Sequence, residues 1–145
     1  MQEDGNMDKI VYTGGSFDTT HIGHVNFLRQ CSMLGKVIVS LNTDDFIKSY
    51  KGSSPIFSYK ERERFLKTLP YVDRIIPNIG GADSKIAIEL VNPDIIAIAT
   101  DWISKDYYKQ MNFTQEWLDE KNILLVYLPY FKGISTTQIK DLCKK

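Results

Sequence analysis

Short unbroken apolar runs alternate along this chain with stretches whose apolar residues return every three or four positions. The first kind predicts buried strands and the second helices. Lys9 to Thr13 (KIVYT) predicts a strand ending in Gly14-Gly15. His21 to Leu34 predicts a helix, with Val25, Leu28, Cys31 and Leu34 near helical spacing and Gly35 at its end. Lys36 to Leu41 (KVIVSL) predicts a second strand, followed by a helix start at Thr43-Asp44-Asp45. Tyr50 to Phe57, with Gly52, Ser53, Ser54 and Pro55, reads as a loop. Ser58 opens another helix that stops near Pro70. Asp73 to Ile76 is a short strand, and Asn78 to Asp83, with its glycine pair, a loop. Ser84 to Val91 reads as a helix and Asp94 to Ala99 (DIIAIA) as a strand. Ser104 to Lys121 divides into two helical pieces. Ile123 to Leu128 (ILLVYL) is the last strand and Ser135 to Lys144 the last helix.

Strands without polar alternation, separated by helices, predict a parallel sheet covered on both faces. The expected architecture is α/β: a Rossmann-like single domain with about five strands. Such sheets take ligands beyond the carboxyl ends of their strands. Informative residues are therefore expected just after strands.

The chain has 145 residues, and that length predicts one domain, over 9–145, preceded by a flexible leader over 1–8. Met7 is an alternative start to Met1. Hydrophobic residues make up 43% and charged residues 25%, which excludes disordered and collagen-like classes. No apolar run reaches the roughly 18 residues of a membrane span. The polar, acidic start cannot be a secretory signal. Eighteen Lys and Arg balance eighteen Asp and Glu. That balance speaks against a general nucleic-acid coat and leaves room for a local anion site. Cys31 and Cys143 make no disulfide framework and are expected on buried helix faces, so a cytoplasmic location is the expectation.

The junction after the first strand has neither a Gly-Lys-Ser/Thr phosphate loop nor the G-x-G-x-x-G spacing. Glycine N–H groups beside a helix N-terminus still favour an anion. His21 and His24, the chain's only histidines, lie at i and i+3 with Gly23 between them. The plain alternative is a pair of helix-start histidines bonded to their neighbours. A metal site would need a third ligand, and the spacing is not that of a zinc protease. After the last strand, Ser135 and Gln138 form a capping-box pattern, and the same first turn suits phosphate oxygens. Arg62 shares a helix face with Tyr59, Leu66 and Leu69 and so points inward or snorkels at the edge of the core. Arg64 points the other way. Lys51 reads as a loop lysine, with Lys48 as its alternative. Asp18 is a metal-side or loop-organising carboxylate.

Gly15-Ser16-Phe17-Asp18 followed by His21-Ile22-Gly23-His24 resembles the nucleotidyltransferase superfamily that carries the H-x-G-H signature. Gly133-Ile134-Ser135-Thr136-Thr137 resembles the second signature of its cytidylyltransferase branch, and above all the glycerol-3-phosphate cytidylyltransferases. The likeness runs in order from Lys9 to Lys140. It implies transfer of CMP from CTP to a small phosphorylated acceptor, Mg2+ beside the triphosphate, and a homodimer. It implies that His21 and His24 hold phosphates and stabilise charge at the α-phosphate, with Lys51 and Arg62 also on phosphates. Gly14, Gly15, Ser16, Phe17 and Gly23 would cradle the nucleotide. Asp101 and Trp102 would stand near the base and acceptor. Gly133, Ile134, Ser135, Thr136 and Thr137 would hold the β- and γ-phosphates. Three departures stand out. Ala99-Thr100 replace the first two residues of the branch's Gly-Asp-Asp-Trp. Tyr130 replaces an arginine. The aromatic segment 104–122 is longer than in the branch. Glycerol 3-phosphate is the first expected acceptor. The alternatives are an adenylyltransferase acting on a sugar phosphate such as heptose phosphate, a silent nucleotide-binding protein, and a metal hydrolase using His21, His24 and Asp18.

Overall fold

In the computed structural model, residues 9–100 and 106–129 are described. The expected leader 1–8, Asp101, Trp102, Tyr130, the Gly133–Thr137 motif, the last helix and Cys143 lie outside them. Five strands form one sheet: β1 (Ile10–Gly15), β2 (Lys36–Leu41), β3 (Arg74–Pro77), β4 (Ile95–Ala99) and β5 (Leu124–Leu128). Their order is β3-β2-β1-β4-β5, and every pairing is parallel. The helices are α1 (Ile22–Ser32), α2 (Asp44–Lys51), α3 (Tyr59–Lys67), α4 (Lys85–Val91), α5 (Tyr107–Met111) and α6 (Gln115–Glu120). This is the Rossmann-like α/β domain that the alternation predicts, with boundaries shifted by up to about three residues. No helix among the described residues is long and apolar enough to cross a membrane.

The two faces of the sheet bury different residues. Odd-numbered positions of β1 and β2 (Val11, Val37, Val39, Leu41) pack with Phe27, Leu28 and Cys31 of α1 and Leu66 of α3. The other face joins Tyr12, Ile96 and Ile98 to Ala87 and Ile88 of α4, Tyr107 of α5 and Leu118 of α6. Cys31 is buried, which pushes its thiol up to about 12 and makes it an inert core residue.

One boundary departs from expectation in a way that bears on the site. Lys51, expected in a loop, is the last residue of α2, and the loop begins at Gly52, whose φ of +82° ends the helix. The helix continues that far because Thr43 caps it, Asp44 and Asp45 meet its N-terminal dipole, and Lys48 and Lys51 meet the other end.

The loop after β3 is held as closely as a core segment. A Cβ on Gly80 would lie 2.2 Å from the Asp83 carbonyl oxygen and 2.9 Å from Ile86 Cβ. Gly81, with φ +57°, packs against the Phe46 ring. Gly80→Ala is therefore expected to lower stability by about 1–3 kcal/mol in urea denaturation, because backbone must move to admit one methyl group.

Candidate active site

The site begins where two strands part. β1 pairs with β2 along six positions but with β4 at only two, Val11↔Ile95 and Tyr12↔Ile96. β1 then runs on to Gly15 and β4 to Ala99 without pairing. The separation falls between the first and fourth strands, where the strand order reverses and such sheets open a ligand crevice. A cavity of about 320 Å³ fills it, with Thr13 to Phe17 on one wall and Ala97 to Ala99 on the other.

His21 and His24 stand at the head of α1. His21 is the N-cap residue, and its Nδ1 accepts a bond from the Gly23 N–H at 3.0 Å. His24 Nδ1 accepts from the His21 backbone N–H at 3.2 Å. The two imidazoles thus make a reciprocal capping box, the work usually done by a Ser or Thr with a Glu or Gln. Two consequences follow. A nitrogen that accepts cannot carry the proton, so each ring is held as its Nε2–H tautomer. Protonation would also break the cap. Burial lowers the pKa of His21, and it pushes His24 down to about 4, with the His21 charge adding to the effect. The ring centroids lie 4.2 Å apart, and His24 lines the cavity. The bonded helix-start pair is therefore a tautomer lock, because capping uses Nδ1 and places the proton of each neutral ring on Nε2.

The glycine loop fits around Phe17. Phe17 adopts φ +48°, an uncommon conformation for a bulky residue. Its ring is buried and tilted against His24 at 5.5 Å. A Cβ on Gly15 would come within 3.0 Å of that ring, so a larger residue here would have to displace the Phe17 side chain.

Arg62 lies beneath this loop. Its side chain is fully buried, and four of its donors are committed. Nε donates to Phe57 O (3.0 Å), Nη1 to Ser16 O (2.8 Å) and Asn42 O (2.9 Å), and Nη2 to the Asp44 carboxylate (2.7 Å). Arg62 does point inward from its apolar helix face, but it does not line the cavity. Asp18 takes the loop-organising role: its two oxygens accept the Ile56 and Phe57 N–H groups, both at 2.8 Å.

Two residues not singled out in the sequence join the site. Asn42 and Asn78 each follow the last residue of a strand, β2 and β3. Asn78 Nδ2 donates to Asn42 Oδ1 and to Gly81 O, each at 3.0 Å, and Asn42 Nδ2 donates to Ser16 Oγ at 3.0 Å. Ser16 Oγ in turn bonds the Tyr50 hydroxyl at 2.9 Å. Their position directly after strands was the available signal.

The structure thus brings Gly14, Gly15, Ser16, Phe17 and His24 to one cavity, with His21 against His24 and Gly23 buried between them. Lys51 and Lys48 are exposed on α2 and do not line it. Among the described residues, no three His, Cys, Asp or Glu side chains gather as a metal site would require.

Residues 12–142 match the Cytidylyltransferase-like family. A glycerol-3-phosphate cytidylyltransferase of Bacillus subtilis (strain 168) is 34% identical over 134 residues, covering 92% of this chain and 95% of that protein. An FAD synthase of Thermococcus sibiricus is 35% identical over 123 residues, covering 83% of this chain and 80% of its own. Among solved structures, a lipopolysaccharide core biosynthesis protein from Thermoplasma volcanium superposes with a TM-score of 0.69 at 27% identity, covering 86% of this chain and 98% of that one. The chain belongs to the cytidylyltransferase-like family. It is an enzyme of that type, with nucleotidyl transfer as its chemistry.

Two outcomes follow from this geometry. Arg62→Lys supplies one ammonium for a planar fork and is expected to lose about 3 kcal/mol or more in urea denaturation, since bonds from a charged donor contribute about 1.5–3 kcal/mol each. A surface phosphate ligand would tolerate that change with stability unaltered. The second concerns pH. Between about 6.5 and about 4 the unfolded chain protonates at His24 while the folded chain stays neutral there. That contribution to stability is fully present above pH 6.5 and lost as pH falls through the window. A urea midpoint measured from pH 7 to 4 should decline, and His24→Gln, which keeps the capping geometry, should decline less.

Proposed function

We propose that this enzyme transfers CMP from CTP to a small phosphorylated acceptor, with glycerol 3-phosphate foremost, and releases pyrophosphate. The observation that carries the reading is the histidine capping box set beside the glycine loop where β1 and β4 part. It supplies two neutral Nε2–H donors at a helix N-terminus, which suits an anion that gains charge during reaction. The likeness to the Bacillus subtilis glycerol-3-phosphate cytidylyltransferase supports the choice of CTP and acceptor.

An oxygen of the acceptor phosphate attacks the α-phosphorus, the bond from that phosphorus to the bridging oxygen breaks, and pyrophosphate leaves with the electron pair. An acceptor phosphate is ionised near neutral pH, so the chain needs no general base. Its work is positioning and charge stabilisation. His21 and His24 donate to the α-phosphate and bridging oxygens, and Gly14, Gly15, Ser16 and Phe17 present backbone to the phosphates. Lys51, on an exposed helix end, reaches the departing pyrophosphate. Arg62 acts through others: its bonds to Ser16 O and Asn42 O hold the loop in shape. Asp101, Trp102 and Gly133 to Thr137 keep the base- and phosphate-binding roles that the family resemblance implies.

Mg2+ belongs to this reading as the companion of the triphosphate, to which it supplies charge neutralisation. The described residues do not by themselves form its site: both Asp18 oxygens are committed to backbone N–H groups, and no acidic cluster stands at the cradle. The enzyme is read as a cytoplasmic homodimer.

A second reading replaces CTP by ATP. It draws on the FAD synthase relative, since FAD carries an adenylyl group. Pyrophosphate release measured with each of the four nucleoside triphosphates against a panel of phosphorylated acceptors separates the two. Turnover with CTP and glycerol 3-phosphate supports the first reading. Turnover with ATP alone overturns it, and nucleotide binding with no turnover on any acceptor overturns both.

The role of the histidines has a clean test. His21→Asn keeps an N-cap oxygen and His24→Gln keeps a capping-box side chain, so both variants should fold. Each is expected to lose about 100- to 1,000-fold in kcat. Wild-type turnover in both would remove the histidines from the chemistry.

A further inference from the structure

The face of the sheet that carries Tyr12 and Ile38 turns polar toward the carboxyl ends. Register places Gly14 beside Ser40 on β1 and β2, and Ser40 beside Ile76 on β3. Asn42 and Asn78 follow on the same pair of strands. Ser40, Asn42 and Asn78 all line the cavity. Asn78 is nine-tenths buried, and the orientation of its amide is fixed. Gly81 O can only accept, so the atom facing it is Nδ2. The same Nδ2 donates to Asn42 Oδ1, which leaves Asn78 Oδ1 sheltered from water with no hydrogen-bond partner. Ser40 Oγ, in a residue 1% exposed, meets no partner at full hydrogen-bond geometry, and only the Tyr12 hydroxyl lies within its reach. Buried polar atoms are nearly always paired, and the exceptions mark a missing water, ion or ligand.

Strand order says which substrate comes to this side. The β5 strand, after which the Gly133–Thr137 motif follows in sequence, lies on one side of β1 across β4. β2 and β3, which carry Ser40 and lead into Asn42 and Asn78, lie on the other. A triphosphate shared by the first and last strand–helix junctions occupies the β1-β4-β5 side. Apart from Lys51, which reaches the pyrophosphate from the end of α2, the β2-β3 side is left to the acceptor.

We propose that Asn78 Oδ1 and Ser40 Oγ form the acceptor-recognition subsite and select a phosphate ester that carries hydroxyl groups. This rests on the nucleotidyl-transfer reading above. An acceptor hydroxyl donates to Asn78 Oδ1 and exchanges a hydrogen bond with Ser40 Oγ. An alkyl phosphate without hydroxyls leaves both atoms unpaired, and sites built to bond a substrate hydroxyl reject such analogues strongly.

The experiment compares glycerol 3-phosphate and ribitol 5-phosphate with propyl phosphate and pentyl phosphate, using wild type, Ser40→Ala and Asn78→Ala. Ser40→Ala removes a hydroxyl whose one neighbour of this kind in the protein is the Tyr12 hydroxyl, so its fold is expected to hold. The wild type should prefer the hydroxylated acceptors by roughly 100-fold or more in kcat/KM. Each variant should reduce that preference about tenfold through acceptor KM, with the KM for the nucleotide unchanged. An unaltered preference in both variants overturns the proposal and leaves an ordered water as the partner of these atoms. An equal loss on all four acceptors together with a raised nucleotide KM also overturns it, as a structural effect. A readout without turnover keeps the two readings apart. In wild type the Asn78 side-chain amide resonances should shift with a hydroxylated acceptor and not with inorganic phosphate or propyl phosphate. Resonances that ignore every hydroxylated acceptor sink the subsite, whereas absence of turnover with all four nucleotides sinks the nucleotidyl-transfer reading.

Discussion

One buried guanidinium holds the working end of this enzyme together. Arg62 reaches from α3 into the space under the glycine loop and ties down four segments: the loop at Ser16, the end of β2 at Asn42, the head of α2 at Asp44 and the approach to α3 at Phe57. Phe17, Leu41 and Leu66 share one apolar cluster beside these segments, and the fixed, planar set of charged donors adds direction to that packing. The effect extends past the atoms touched. The C=O and N–H of a trans peptide point in opposite directions. Fixing Ser16 O on Arg62 therefore also fixes the Phe17 N–H, on the side away from the guanidinium. Phe17 can then keep its positive φ, and Gly15 its close approach to the ring, because their surroundings leave no lower-energy choice.

The histidine pair illustrates how a structural need and a chemical one are met by the same side chains. A helix start leaves N–H groups that must be satisfied. Serine and glutamate would satisfy them, yet would face the ligand with an acceptor or a negative charge. Imidazole divides the labour between its two nitrogens. Nδ1 accepts from the backbone, and the cap thereby keeps the proton of each neutral ring on Nε2. Burial keeps His24 uncharged across neutral pH, so the donor state does not vary with small changes of medium.

Much of the architecture was legible because it depends on local rules. Unbroken apolar runs between helical patterns led to the parallel sheet, and the glycines and histidines after β1 led to the cavity. What escaped were facts set by residues far apart in sequence. The face of Arg62 could be read from spacing, but that it would spend four donors on residues 16, 42, 44 and 57 depends on how α2 and α3 meet the first loop. Lys51 was expected in a loop because Gly52 to Pro55 mark one, and capping carried the helix to its very edge. Asn42 and Asn78 carried a positional clue only, since a lone Asn after a strand is ordinarily a turn residue. Their linkage through a side-chain amide exists only once β2 and β3 lie side by side.

That linkage bears on why one scaffold serves different substrates. A glycerol-3-phosphate cytidylyltransferase and an FAD synthase stand at 34% and 35% identity to this chain, so overall likeness does not separate their substrates. The acceptor subsite proposed above offers a place for the separation to arise. The proposed phosphate cradle is built by β1, the head of α1 and Arg62, a set so interlocked that one substitution disturbs several contacts. The β2-β3 side is different. Asn78 Oδ1 bonds nothing in the protein and Ser40 Oγ reaches only the Tyr12 hydroxyl, so a change at these atoms alters what the cavity offers while the four Arg62 bonds remain. On that proposal, substrate choice can vary at the ends of β2 and β3 while the β1–β2 ladder and Arg62 hold the first loop, and the hydrogen-bonded side chains Asn78–Asn42–Ser16 link the two.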